Sequence, residues 1–165
     1  MKRIIVILLL LTGLWGCSAE PVYETIGNVW DNPQLQSTPA SIELAVEGAQ
    51  MAVMETDGNR KSYQVGNWML WTEVRDGGDV LATMRDLTGL DDPQIISYPV
   101  GQYQCHETAW AVENEEGERV VRTAVISQGQ YHYCLSIKAP QEEARQVGSF
   151  FTQLLKSVHI NDTAE

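Results

Sequence analysis

The sequence predicts an α+β fold, in which an antiparallel sheet carries helices on its faces, preceded by a signal peptide. Three observations support this prediction. Most of residues 41–138 form short segments that alternate apolar and polar side chains, as half-buried strands do. The segments after Asp79 and after Pro140 instead show the apolar spacing of helices. Glycines between the last strand-like segments suit tight hairpins, which join antiparallel neighbours.

Residues 1–16 are predicted to be the signal peptide. Lys2 and Arg3 give a positive start, and residues 4–15 are almost entirely apolar. A membrane-spanning helix needs about 20 apolar residues. The run is therefore too short to span a bilayer, but it has the length of the apolar core of a secretory signal.

The end of this run resembles the bacterial lipobox. In Leu14-Trp15-Gly16-Cys17, a leucine stands three residues before a cysteine and a small residue directly before it. The resemblance implies that cleavage follows Gly16 and that the thiol of Cys17, the new N-terminus, is lipidated. We therefore expect a protein anchored by lipid to a membrane, on its extracytoplasmic side. An ordinary signal peptide with an incidental cysteine is the alternative.

The charge balance bears on the class of partner. The chain has 11 basic and 22 acidic residues, and the leader holds two of the basic ones and none of the acidic ones. Nine basic and 22 acidic residues remain, a net charge of −13. Such a surface repels a phosphate backbone, so we expect no nucleic-acid partner. The roughly 150 residues after the leader suffice for one domain with a single core.

Residues 17–40 are interpreted as the lipidated cysteine and a linker, because three prolines interrupt them. A short docked helix within this segment is the alternative, since four of its apolar residues have helical spacing. These are Tyr23, Ile26, Val29 and Trp30. The single domain is predicted to span residues 41–161, and residues 162–165 form a tail.

The first half of the domain is predicted to contain four strands and one helix. Residues 41–47 alternate as a strand, the turn Asp57-Gly58-Asn59 joins a hairpin, and residues 67–75 form a longer strand. Asp79 is a suitable N-cap for a helix that ends at Gly89. The inward residues of this helix are Val80, Leu81, Met84 and Leu87.

Three longer strands follow, at residues 102–113, 119–126 and 130–138. A four-residue loop ending at Gly117 and a three-residue loop ending at Gly129 set their register. In this register Trp110 lies opposite Val121, and Val121 lies opposite Leu135. The face that they share is consistently apolar and also contains Thr108, Val112, Thr123, Val125, Tyr131, Tyr133 and Ile137.

The last helix is predicted from about residue 140 to residue 156, followed by a short strand at residues 157–160. Its apolar stripe consists of Ala144, Val147, Phe151, Leu154 and Leu155. The strand–helix–strand ending, residues 122–160, resembles the PsbP-like α/β/α sandwich. The resemblance implies an antiparallel sheet between helices, and a mostly non-catalytic family that acts by binding or in accessory roles. No functional residue of that family maps onto a position of this sequence.

Cys105 and Cys134 are the two cysteines left after lipidation, and an even pair in an exported chain suggests a disulfide. The register above places their α-carbons roughly 16 Å apart, against a limit near 7 Å. We therefore expect two free thiols, although a bulge or a register error leaves the disulfide open. Four residues of ligand type share one face in this register: Cys105, Glu107, His132 and Cys134. They are too far apart to bind one metal ion together, so no metal site is predicted.

No catalytic residue and no cofactor are predicted. The serines lack the G-x-S-x-G context of an exposed nucleophile, and the three histidines stand without an aspartate at a suggestive spacing. The glycines of "VRDGGDVL" lack the pattern of a phosphate-binding loop.

Trp68 and Trp71 are the remaining candidates for a ligand or partner surface. They lie on one strand at positions of opposite parity, so they point to opposite faces. One is expected to enter the core, and the other is covered by a helix or left at a surface, where an indole favours partners. Two packed tryptophans in a two-sided sheet are the alternative.

Together these features predict a lipid-anchored, extracytoplasmic module that binds or assists at the cell envelope and is not an enzyme. Its partner would be an envelope protein or a small ligand. An envelope-associated hydrolase and a structural envelope component are the alternatives.

Overall fold

The computed structural model describes residues 22–26, 41–46, 52–57, 60–115 and 117–161. The predicted signal peptide, Cys17 and the tail at residues 162–165 lie outside the described residues. Within the described part, no helix has the length and apolar character needed to cross a membrane. In chain order the strands are β1 (Val22–Ile26), β2 (Ser41–Val46), β3 (Ala52–Asp57), β4 (Arg60–Val65), β5 (Trp68–Asp76), β6 (Ile96–Val100), β7 (Tyr103–Asn114), β8 (Gly117–Gln128), β9 (Tyr131–Pro140) and β10 (His159–Asn161). The helices are α1 (Val80–Thr88), a short 3₁₀ turn (Gln141–Glu143) and α2 (Ala144–Lys156).

Two antiparallel sheets organise these strands. The large sheet has seven strands in the order β3-β4-β5-β9-β8-β7-β6, and the small sheet has three in the order β1-β2-β10. Adjacent residues of β9 belong to two different cores. Cys134 packs with Met84 of α1, whereas Leu135 packs with the buried residues of α2.

Because neighbouring residues of a strand point to opposite faces, α1 and α2 lie on opposite sides of the large sheet. We call these sides the α1 face and the α2 face. The predicted fold class, an antiparallel sheet with helices packed on its faces, is confirmed.

Helix α1 begins and ends as its sequence predicts. The carboxylate of Asp79 accepts a hydrogen bond from the backbone N–H of Leu81 at 3.0 Å, which satisfies one of the free donors of the first turn. Gly89 closes the helix at a φ of +69°, a left-handed conformation that glycine adopts without strain. Met84 is fully buried against Val125 and Cys134.

Helix α2 and the small sheet cover the α2 face. The helix buries Val147, Phe151, Leu154 and Leu155 as predicted, and Ala144 is only half-buried. Ile160 of the small sheet joins the same core, and its backbone N–H donates to the hydroxyl of Tyr103 at 3.2 Å. The core on this face contains most of the buried apolar residues. Burying a side chain such as that of Phe151 contributes about 1.5–3 kcal/mol.

The predicted register is right for one pair of long strands and wrong for the next. Trp110 lies opposite Val121, as predicted, but Val121 lies opposite Lys138 and not Leu135. The hairpin after β8 has a two-residue loop, since Gln128 lies directly opposite Tyr131. The register of β9 is thus displaced by three residues, an odd number, which turns every side chain of β9 to the other face. The four β9 residues that the sequence placed beside Trp110 face α2 instead: Tyr131, Tyr133, Leu135 and Ile137.

Two strands were not predicted. β1 lies inside the segment interpreted as a linker and pairs antiparallel with β2, so Tyr23 and Ile26 belong to a strand and not to a docked helix. β6 forms an edge of the large sheet and contains Pro99. A proline cannot donate to a neighbouring strand, so a strand that contains one is accommodated at an edge.

Candidate functional site

Trp68 and Trp71 point to opposite faces of β5, as predicted. Trp68 lies on the α2 face, where its ring meets Phe150 edge to face at 5.4 Å between centroids and its Nε1 donates to Glu143. Trp71 lies on the α1 face, and its neighbours across the sheet are Ser62 and Ser136. Both tryptophans are half-buried. Trp68 therefore packs against α2, whereas the residues directly opposite Trp71 on the two neighbouring strands are both serines.

The two cysteines of the domain are free and buried, on opposite faces of the sheet. Cys105 belongs to the core under α2, and Cys134 to the core under α1. The two thiols are therefore separated by the sheet. The sequence analysis also predicted them to be apart, but on the same face. Burial raises the pKa of the Cys105 thiol to about 12 and moves the pKa of Cys134 further upward. Neither thiol is ionised near neutral pH, so neither is an activated nucleophile.

The four residues considered as metal ligands do not share a face. Cys105 and Glu107 lie on the α2 face, whereas His132 and Cys134 lie on the α1 face. The reason is the displaced register of β9, which turns its side chains to the face opposite the predicted one. Among the residues that the structure describes, no three His, Cys, Asp or Glu side chains are placed to hold one metal ion.

His132 and His106 both have structural hydrogen bonds. Nδ1 of His132 lies 2.8 Å from the hydroxyl of Thr83, in a buried contact between β9 and α1. Nδ1 of His106 lies 2.8 Å from the hydroxyl of Ser97. Burial lowers the pKa of both rings, so the neutral forms predominate near pH 7.

A buried carboxylate organises the α1 face. Glu73, whose side chain is 3% exposed, accepts hydrogen bonds from Nε of Arg60 and Nε of Arg75. Nη1 of Arg75 also lies 3.7 Å from the carboxylate of Asp86 on α1. These bonds link β4, β5 and α1, and they occupy both oxygens of Glu73.

A second buried carboxylate organises the α2 face. Oε1 of Glu107 accepts from Nε of Arg122 at 2.8 Å and from Nη2 of the same guanidinium, and Oε2 accepts from the hydroxyl of Tyr98. Burial and this carboxylate raise the pKa of Tyr98, which therefore stays protonated and keeps its donor. Glu107 fixes the guanidinium of Arg122 in one position.

The fixed guanidinium lies under helix α2, next to Gly148. A Cβ on Gly148 would lie 2.6 Å from Nη1 of Arg122, so only glycine leaves this space to the guanidinium. A shallow, open groove of about 500 Å³ lies here along one flank of α2, beside Arg122 of β8. We call it the α2 cleft, and it is lined by Arg122, Ala144, Arg145, Gly148, Ser149, Thr152, Gln153 and Lys156.

The sequence analysis did not find the α2 cleft, because it considered only the apolar stripe of the last helix. A signal was nevertheless present. Four polar residues of the last helix are spaced at intervals of four, three and four, which places them on one side of a helix. They are Arg145, Ser149, Thr152 and Lys156.

Comparison with solved structures finds several similar proteins. PsbP from the cyanobacterium Synechocystis is 10% identical with a TM-score of 0.55, over 90% of this chain and 99% of that chain. A protein from Bacteroides thetaiotaomicron is 9% identical with a TM-score of 0.55, over 75% of this chain. The similarity covers 46% of that protein, so this chain spans about half of its length. LpqN of Mycobacterium tuberculosis, involved in cell envelope biogenesis, is 14% identical with a TM-score of 0.42, over 88% of each chain.

No family model and no curated protein matches the sequence. The similarity to the first two structures shows that the fold is PsbP-like. At such low identity it concerns the fold alone, since one fold hosts many functions.

Proposed function

We propose that the protein is a lipid-anchored module that binds or assists on the extracytoplasmic side of a membrane and has no catalytic activity of its own. The anchor is proposed from Leu14-Trp15-Gly16-Cys17 and the short apolar run before it.

The proposal of a non-catalytic role rests on one observation: three buried ionisable groups are bonded to other side chains of the fold. Glu73, Glu107 and His132 are each at most 3% exposed, and each is bonded to neighbouring side chains within the fold. A general acid or base must come within hydrogen-bonding distance of its substrate. These three groups are instead enclosed by the strands and helices that they connect.

Trp71 supports a binding surface on the α1 face. The residues beside it in its row, Ser62 and Ser136, are too small to cover an indole. Tryptophan is over-represented among residues that contribute most to protein interfaces, because it offers a large apolar area and one polar N–H. We propose that this surface contacts a protein partner of the envelope.

In-cell crosslinking of the anchored protein, followed by affinity capture and mass spectrometry, tests this role. One dominant partner is expected with the wild type and reduced recovery with Trp71→Ala. Ile96→Ala is the matched control, because Ile96 is an exposed apolar side chain away from Trp71. Equal recovery with Trp71→Ala contradicts the proposed surface, and a blank with the anchored wild type contradicts the protein partner.

Labelling with a radioactive fatty acid tests the anchor separately. Label is expected in the wild type and not in Cys17→Ala. Equal labelling of both proteins contradicts lipidation at Cys17.

A further inference from the structure

The charge of the α2 cleft is opposite to that of the protein. The chain as a whole has a net charge of −11, yet Arg122, Arg145 and Lys156 line this cleft and no carboxylate does so among the residues described. Arg145 and Lys156 are exposed, and neither forms an ion pair with a described carboxylate. The positive charge of these two side chains is therefore available to a ligand.

The third cation is held in place before any ligand arrives. Nε and Nη2 of Arg122 bind Glu107, which balances the charge of the guanidinium, and Nη1 is the nitrogen directed toward Gly148. A guanidinium fixed in this way loses little side-chain entropy when an oxyanion binds to its remaining N–H groups.

The positions of the cations define the shape of a suitable ligand. Arg145 and Lys156 are eleven residues apart on one helix, or about 16 Å along its axis at 1.5 Å per residue. Arg122 reaches the helix between them, at Gly148. Ser149 and Gln153 add a hydroxyl and an amide to the same lining. A small single anion can contact one cation at a time, whereas an elongated anion can contact two or three.

We propose that the α2 cleft binds an elongated ligand that carries more than one oxyanion group, either phosphate or carboxylate. The acidic remainder of the surface repels such a ligand at other positions, so this site is selective by charge. The proposal rests on the binding role proposed above and gives it a second surface, on the face opposite Trp71.

Calorimetric titration of the full chain in a neutral detergent tests the site, with inorganic tripolyphosphate and citrate as probes of the two anion types. We expect one of them to bind at least tenfold more tightly than orthophosphate or acetate. We also expect binding to weaken as sodium chloride is raised from about 20 mM to about 300 mM, because salt screens exposed charges.

The double variant Arg145→Gln/Lys156→Gln should weaken binding at least tenfold while leaving the unfolding temperature unchanged, because both side chains are exposed. Arg85→Gln/Lys138→Gln is the matched control, since it removes the same charge from residues that do not line the cleft. Arg122 is left in place because it compensates the buried Glu107.

Preferential binding of tripolyphosphate identifies phosphate as the ligand group, and preferential binding of citrate identifies carboxylate. Two outcomes overturn the proposal: neither probe binds, or the two double variants weaken binding equally. Because the titration involves no partner protein, these failures are distinguishable from a blank in the crosslinking experiment.

Discussion

The hydroxyl of Thr83 lies 2.8 Å from Nδ1 of His132, and this buried contact joins α1 to β9. His132 is 3% exposed, so an imidazolium at this position would be largely removed from water. The helix is therefore attached to the sheet through a ring that is stable there in its neutral form.

The free energy of unfolding should decrease as the pH falls. Burial lowers the pKa of His132, the charge of His106 acts in the same direction, and Asp79 opposes them. The unfolded chain takes up a proton near the ordinary histidine pKa of about 6.5 and the folded chain does not, so acid favours unfolding. Urea unfolding at several pH values between about 7.5 and 5.5 should show a smaller decrease for His132→Gln than for the wild type.

His106→Gln should also reduce this pH dependence, because burial lowers the pKa of His106 too. Free energies of unfolding of the wild type and His132→Gln that run parallel over the whole pH range would contradict this prediction. That result would show that His132 is protonated as easily in the folded protein as in the unfolded chain.

Arg122→Met should destabilise the protein by about 3 kcal/mol, because it leaves the buried carboxylate of Glu107 without its cation. In Arg122→Met/Glu107→Leu the unpaired charge is removed, and most of that loss should be recovered. Chemical unfolding of the two single variants and the double variant measures the coupling. Losses that simply add would show that the pair contributes no mutual stabilisation.

The effect of Gly148→Ala on the free energy of unfolding should change sign with the residue at position 122. Alanine favours a helix over glycine by about 1 kcal/mol, but the new Cβ would displace the guanidinium that Glu107 holds. We expect a net destabilisation of about 1 kcal/mol in the wild type and a stabilisation in the Arg122→Met background. Stabilisation in both backgrounds would show that the guanidinium moves aside without cost.

Cys105 and Cys134 should resist alkylation in the folded protein. Burial excludes the reagent, and it raises the pKa of the Cys105 thiol to about 12. Iodoacetamide at about pH 8 should modify neither residue until denaturant is added, after which both should react. Mass spectrometry counts the adducts, and an intact mass two hydrogens lower would reveal a disulfide instead.

The turn residues decided how far the sequence could predict the sheet. Gly117, predicted to end the first of the two loops, has a positive φ of +106°, and the register of β7 and β8 is as predicted. Gly129 also has a positive φ, but it starts a two-residue loop and does not end a three-residue one. The same glycine is compatible with both loops, so local turn chemistry alone could not choose the face of β9.

The Glu107–Arg122 pair was only partly accessible to sequence reasoning. The correct register of β7 and β8 places the two residues diagonally on one face, opposite Ala124 and Ala109 respectively. Which helix covers that face depends on β9, whose register was wrong. The contact with Gly148 depends on the packing of α2 against β8, a tertiary relationship that no local pattern encodes.

The pairing of β10 with β2 also constrains the order in which the molecule can be assembled. Ile42 and Ile160 face each other in the small sheet, so β2 can pair with β1 early but pairs with β10 only after one of the last segments has been synthesised. The central pair of the large sheet, β5 and β9, is likewise distant in sequence. Such non-local pairs form late and slowly. The small sheet and the centre of the large sheet therefore both remain incomplete until almost the whole chain is available.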